Sequence, residues 1–449
     1  MNVTRNLNKE NVLWAILIIT QIFFLGYAWQ HQQIKTADSD EYIHQAYNIV
    51  HYGVIYSGDY TLPEKDPALY GLRTPGYPLF LIFSKILFNS NFFPLLLQCI
   101  LSILNIYLGY KIVKTISANR VKSHHYLLFF LFFPSQFIYS TIFMSEILFQ
   151  STLLLCIFYL LKFESSGKYK HLYIHHFLLA LTYIIKPIAL FLWLGYILYG
   201  IFVHNNRGIA PRQIILGFMH VLLLGSFGLK NYYHTGIAEY SGIGRKLLIN
   251  YNMPALISFY ENPEYAKVKI DSFQSRIKNE PYAEQCANID LFIRKEVLGH
   301  PIDFITLQFV GATKFFLESG RWDLELWKNG YQHLENIPSL RKAYSLEGIS
   351  GIYNEIKQLP LLQLIYIPFV VLSNFVLFAL FLYSIFSKSI LLRYKIILWC
   401  TVLYFALLTG PSASARFRLP VFPIMVILAV NGMSNMGQKT KNIMADPFN

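Results

Sequence analysis

Charge is what this chain has least of. Only 14% of its 449 residues are Asp, Glu, Lys or Arg, where a soluble globular domain carries about 25%. That shortage excludes an ordinary soluble enzyme. Acidic residues are the scarcer sign, 25 against 38 basic ones. Cysteine is nearly missing too. Cys99, Cys156, Cys286 and Cys400 show no metal-ligand spacing, and all but Cys286 lie in apolar runs, so only Cys286 is expected to face water and no disulfide framework is expected. There is no Gly-rich phosphate loop, which argues against a nucleotide as the source of chemical energy. Internal repeats and low-complexity linkers are also absent.

What is abundant is apolar. Hydrophobic residues make up 54% of the chain and aromatics 17%, the composition of a polytopic all-α membrane protein. A helix needs about 20 apolar residues to span a bilayer. Runs near that length are Val12–Trp29, Phe93–Ile116, Tyr126–Tyr139, Ile147–Leu161, Leu172–Ile185, Pro187–Val203, Ile214–Leu229, Leu361–Phe386, Ile396–Thr409 and Leu419–Met433. They predict about ten spans. The first has no small-residue cleavage site and reads as a retained helix.

The net charge of +13 could suit a nucleic-acid partner, but the basic residues sit in short clusters between apolar runs. With the N-terminus in the cytoplasm, the inner loops collect sixteen Lys and Arg, among them Lys9, Lys111, Lys114, Lys168, Arg212 and Arg393, against three acids. That obeys the positive-inside rule at every loop. It puts both termini in the cytoplasm, in an inner-membrane protein whose partners are lipids and no nucleic acid. Residues 1–229 then form a transmembrane module with a first outer loop over 30–73. Residues 230–360 form an exoplasmic segment with 15 of the 25 acids, and 361–449 supply the C-terminal helices and tail. The apolar stretch Ile302–Leu317, introduced by His300-Pro301, is expected as an amphipathic helix on the outer leaflet.

The outward face gathers the chemistry. Asp38, Asp40 and Glu41 follow the first span directly. Asp40, His44, Tyr47 and His51 share one helical face, which leaves a divalent metal site open beside the plainer reading of a polar face. Asp38 could equally serve as a base or as a helix cap. Glu146 lies at a membrane boundary, where an ionisable group is expensive and usually functional. Outward cations are Arg73, Lys186, Lys230, Arg245, Arg416 and Arg418, the last two against the positive-inside trend. Leu72 to Pro78 reads as a rigid turn into a juxtamembrane helix over Leu79–Phe88.

The order of these motifs carries a resemblance. Asp38-Ser39 with Tyr42 and Ala46, then Tyr52-Gly53, then Arg73-Thr74-Pro75-Gly76-Tyr77-Pro78, resembles the first outer loop of GT-C fold membrane glycosyltransferases. These belong with the protein mannosyltransferase and lipid A aminoarabinose transferase superfamily. Pro134, Tyr139-Ser140, Ser145-Glu146, Lys186-Pro187, Lys230-Asn231-Tyr232 and Ala415-Arg416-Phe417-Arg418-Leu419-Pro420 are similar to later family motifs, with Lys at 186 and 230 where the family has Arg. The resemblance implies a polyprenyl-phosphate-linked sugar as donor and a glycan, glycolipid or protein as acceptor. Asp38 is then the base, with Asp40 as the reserve, since Asp40-Glu41 forms the adjacent acidic pair. Arg73, Lys186, Lys230, Arg245, Arg416 and Arg418 are implied for the donor phosphate, and Glu41, Tyr42, Glu146 and Tyr77 for substrate. Undecaprenyl phosphate and a surface polysaccharide such as the O-antigen of lipopolysaccharide are the expected lipid and acceptor. A lipid-linked sugar flippase, or an oligosaccharide polymerase or ligase, is the alternative.

Overall fold

The computed structural model describes residues 9–117, 122, 124–203, 210–331, 357 and 361–433. The basic residues Arg5, Arg120, Arg207, Lys439 and Lys441, and most of 332–360, fall outside them. Among the described residues the chain is all-α.

Among the described residues, seven helices are long and apolar enough to cross a bilayer unbroken, against ten apolar runs in the sequence. The reason lies in proline and length. Tyr126–Tyr139 is split into α5 (His124–Leu131) and α6 (Ser135–Ile138) around Pro134. Pro187, which has no N–H to continue a helix, separates α8 (Tyr169–Ile185) from the 12-residue α9 (Leu192–Val203). The long helices begin with α1 (Lys9–Gln30), α4 (Phe92–Ile116), α7 (Glu146–Ser166) and α10 (Ala210–Thr235). After the outer segment come α17 (Leu361–Tyr383) and α18 (Leu392–Thr409), and then the short α19 (Ala415–Arg418) leading into α20 (Phe422–Met433).

Helix α20 is the axis of the bundle. Every residue from Phe422 to Gly432 is buried, and α7 beside it is buried over most of its length. By contrast α1 and α10 leave Ile19, Ile22, Ile214, Phe218 and Leu229 exposed, the outward apolar surface that lipid would cover. Several polar groups inside the bundle pair with one another, as a water-free interior favours. Gln136 donates to Ser102 Oγ (3.0 Å) and Gln150 donates to the Leu419 carbonyl (2.7 Å). His176, His220 and Tyr183 form a second chain, with the His176–His220 nitrogens 3.0 Å apart and Tyr183 OH 2.8 Å from His220.

The remaining helices besides the long apolar ones are α2 (Ala37–Tyr52) and α3 (Gly76–Phe88) of the first loop, then α11 (Ile243–Leu247), α12 (Met253–Tyr260), α13 (Pro263–Ile277), α14 (Tyr282–Gly299), α15 (Pro301–Leu317) and α16 (Arg321–Asn329). Helix α15 does more than rest on a leaflet. It buries Leu307, Ala312, Phe315 and Phe316, and Gly311 lies so close to Gly410 that a Cβ would sit 2.1 Å from its carbonyl. Cys286, expected to face water, is buried on α14, while Cys400 lies exposed on the membrane-spanning α18.

Candidate active site

The site is built on α2. Its start is fixed by Ser39, whose Oγ accepts from Thr36 N (2.8 Å) and whose N donates to the Thr36 carbonyl (3.0 Å). Ser39 of the Asp-Ser pair is therefore spent on the helix, and Asp38 is free to point inward. Tyr42, Gln45 and Asn48 line the buried side of α2, and Gly53 ends it at φ +67°. Asp40, His44, Tyr47 and His51 share the solvent side: Asp40 pairs with Lys35 (3.1 Å) and His51 stacks near Tyr47. Among the described residues, no three His, Cys, Asp or Glu are gathered to hold a metal. The His44–His51–Asp40 alternative finds no support in the geometry.

The turn carrying Arg73 is docked against the helix break at Lys186. Thr74 Oγ1 donates to the Ile185 carbonyl (3.2 Å), one of the carbonyls left open at a helix end. Gly76 lies on the same turn, where a Cβ would come within 2.7 Å of the Ile184 oxygen. Gln45 holds the Arg73 carbonyl at 3.1 Å. Two motifs over a hundred residues apart thus meet through backbone contacts.

Between them lies a connected charge cluster. Arg73 Nη2 is 2.7 Å from Asp38 Oδ1, and Arg73 Nε reaches Glu41. Arg416 Nη2 is 2.7 Å from Asp38 Oδ2 while its Nε reaches Glu146 Oε1, which Lys186 also contacts at 2.9 Å. Lys246 stands 3.5 Å from Glu41. Three carboxylates meet four cations, which leaves one positive charge. Burial alone would raise the Asp38 carboxyl, but Arg416 and Arg73 hold it well below the usual carboxylate range. Glu146 is fully buried and its Oε2 has no partner among the described residues. Tyr42 lies under Arg73, 5.1 Å from ring centre to guanidinium, with its OH 3.1 Å from Ser145 Oγ. Tyr77 supports it edge-on at 4.9 Å and donates to Gln98.

Three expected cations lie elsewhere. Arg418 is fully buried and donates to the Phe316 and Glu318 carbonyls, with Phe133 and Phe422 beside its guanidinium. Lys230 donates to the Tyr70 carbonyl at 2.7 Å. Arg245 is held by Glu239 (2.8 Å) and Asp290 (2.9 Å). Each of the three organises backbone or outer helices, not the cluster.

The sequence reading missed a supporting layer from residues 318–323. Glu318 Oε2 accepts from Ala415 N (2.8 Å) and Gly320 N (2.9 Å), which tethers the short helix carrying Arg416. Asp323 accepts from Ser135 Oγ (2.6 Å) and Tyr139 OH (2.8 Å), and the Tyr139 ring lies 5.9 Å from the Arg416 guanidinium. Burial, followed by the neighbouring Glu318 charge, pushes the Asp323 carboxyl up to about 7. No spacing in the sequence points to these partners.

Residues 73–227 match the family model described as dolichyl-phosphate-mannose-protein mannosyltransferase. No curated protein matches the chain. The matched region begins at Arg73 and includes Glu146 and Lys186, so three members of the charge cluster fall within it. Over that stretch, about a third of its length, this multi-pass helical chain is similar to the GT-C type mannosyltransferase family.

Proposed function

We propose that the protein is an inverting glycosyltransferase acting at the outer face of the cytoplasmic membrane, with both termini in the cytoplasm. Its donor is a sugar on a polyprenyl phosphate, undecaprenyl phosphate in a bacterium. Its acceptor is an envelope molecule, foremost a surface polysaccharide such as O-antigen, otherwise a glycolipid or protein. The observation that carries this reading is Arg416 bridging Asp38 and Glu146, with Arg73 and Lys186 on either flank.

The acceptor hydroxyl attacks the anomeric carbon, its proton passes to Asp38, and the bond to the phosphate oxygen breaks with its electron pair staying on phosphate. A single displacement inverts the anomeric centre. Arg416, Arg73 and Lys186 stabilise the charge that develops on the phosphate. Without donor, Asp38 is a poor base because two guanidiniums hold it ionised. A phosphate that takes Arg416 onto itself releases Asp38 Oδ2, and the carboxylate becomes more basic when the substrate is in place. Asp40, paired with Lys35 on the solvent face, has no such route to the phosphate. The unpartnered Glu146 Oε2 is the acceptor for a donor-sugar hydroxyl.

The test uses purified protein, radiolabelled polyprenyl-phosphate sugars and membrane extract. Transfer is expected for the wild type and for Asp40→Asn, with Asp38→Asn reduced at least about a hundredfold, the usual worth of a general base. Full activity in Asp38→Asn would overturn the assignment. Label that equilibrates across vesicles without transfer would overturn the enzyme.

A further inference from the structure

Two cavities lie in the outer segment, the larger of them meeting the charge cluster at Lys246. The larger, about 580 Å³, is walled by α11, α13 and α14 and by Ala68 and Leu72 of the first loop. The smaller, about 280 Å³, lies between α12 and α13. Asn250, Asp271 and Gln274 line both, so the two form one elongated groove. The larger alone falls within the roughly 300–1,000 Å³ typical of ligand sites.

One end of this groove is tied to the active site. Ser241 Oγ donates to the Leu72 carbonyl (2.9 Å) and Gly242 N donates to the Gly71 carbonyl (3.0 Å). Leu72 lines the groove and precedes Arg73. Lys246, also in the lining, is the residue 3.5 Å from Glu41. The groove therefore starts beside the Arg73–Asp38 pair and runs outward along α13.

Its wall alternates apolar and hydrogen-bonding groups. Ile249, Ile277 and Ile289 supply apolar surface, and Tyr282 an aromatic face. Gln274 Nε2 donates to Asn250 Oδ1 (3.1 Å), which leaves the Asn250 amide donors and the Gln274 oxygen directed to other partners. Among the described residues the Asp271 carboxylate and the Lys278 ammonium are unpaired. Side-chain amides, a carboxylate and an ammonium, set among apolar and aromatic surface, suit a chain of ring hydroxyls with C–H faces.

We infer that this groove binds the saccharide chain of the acceptor, delivering its terminal hydroxyl to Asp38; the inference rests on the transferase reading above. Lys246 marks the catalytic end, and Asn250, Asp271 and Gln274 grip the chain further out. The groove sets which acceptor is used and leaves donor chemistry alone.

The experiment measures two reactions of the full-length protein on one labelled donor: transfer to saccharide in membrane extract, and release of free sugar to water without extract. Gln274→Trp and Ser275→Trp place a bulky ring on the α13 wall of the groove. Asp271→Asn is the mild variant. Both Trp variants should lose transfer at least about tenfold while releasing sugar to water at the wild-type rate. Asp271→Asn should raise the extract concentration needed for half-maximal transfer severalfold without changing the maximum, as loss of one charged hydrogen bond does. Wild-type transfer by both Trp variants overturns the groove assignment, and so does parallel loss of transfer and release. Label recovered on protein overturns the saccharide class. A wild type that neither transfers nor releases sugar overturns the enzyme reading itself.

Discussion

Asp323 offers a test in which sign and size both follow from geometry. Its side chain is almost fully buried, 1% of the residue being exposed, on an outer helix that supports the Arg416 region. Two hydroxyl donors favour the carboxylate, but burial and Glu318 outweigh them and hold the group near 7 against an ordinary 3.8. At about 1.4 kcal/mol per pH unit, ionising it in place costs on the order of 4 kcal/mol. The folded state holds the proton more tightly than the unfolded chain. The stabilisation is therefore complete below pH 3.8, declines as pH rises, and is gone above 7. Between pH 5 and 7 the native state should lose roughly 2 kcal/mol from this group. Asp323→Asn removes the slope. It forfeits one hydrogen bond, about 1 kcal/mol, because an amide oxygen can serve only one of Ser135 and Tyr139 well. The variant should be less stable than wild type at about pH 3 and more stable at about pH 8, the curves crossing at about pH 4.5. Trp327 on the same helix lies 4.2 Å from Tyr27 and 4.5 Å from Phe24, so its fluorescence reports opening of this region in detergent during a denaturant titration. Parallel pH curves for wild type and variant would refute the reasoning.

Three further outcomes follow from the contacts. Arg416→Ala should abolish transfer and destabilise the protein by about 3–5 kcal/mol, the cost of leaving a buried charge such as Glu146 short of its partner, read by activity and by melting in detergent. Arg418→Met should lower stability, because it frees the Phe316 and Glu318 carbonyls, while the donor KM of the folded fraction stays at the wild-type value. Gly311→Ala drives a methyl to 2.1 Å from the Gly410 carbonyl and should cost about 1–3 kcal/mol, seen as a lower melting temperature, where Gly244→Ala, with open space around it, should be neutral to packing.

The site was legible where chemistry is expensive. Asp38, Glu146, Lys186 and Arg416 are ionisable groups at membrane boundaries, and such groups persist only with partners. Each was visible alone, though not the order in which they pair. Two ambiguities share one cause. Asp38 and Asp40, like Arg416 and Arg418, are two residues apart, and on a helix such neighbours face opposite ways. Composition could not tell which of each pair turned inward. The neighbours decided it: Arg73 and Arg416 receive Asp38, while backbone carbonyls of 316 and 318 take Arg418. Three of the apolar runs do not form single unbroken helices of spanning length for a related reason, since hydropathy registers apolar residues but not the breaks at Pro134 and Pro187. Asp323 and Glu318 were invisible because their partners, Ser135, Tyr139 and Ala415, lie roughly a hundred or more residues away.

Arg416 also sets an order of assembly. Its partner Glu146 precedes it by 270 positions and Asp38 by 378, and the fully buried α20 is synthesised after all its neighbours. While the ribosome is still extending the chain, Glu146 has only Lys186 to neutralise it, and the slot that α20 fills stands open. Insertion of the central helix and completion of the charge cluster are then a single event.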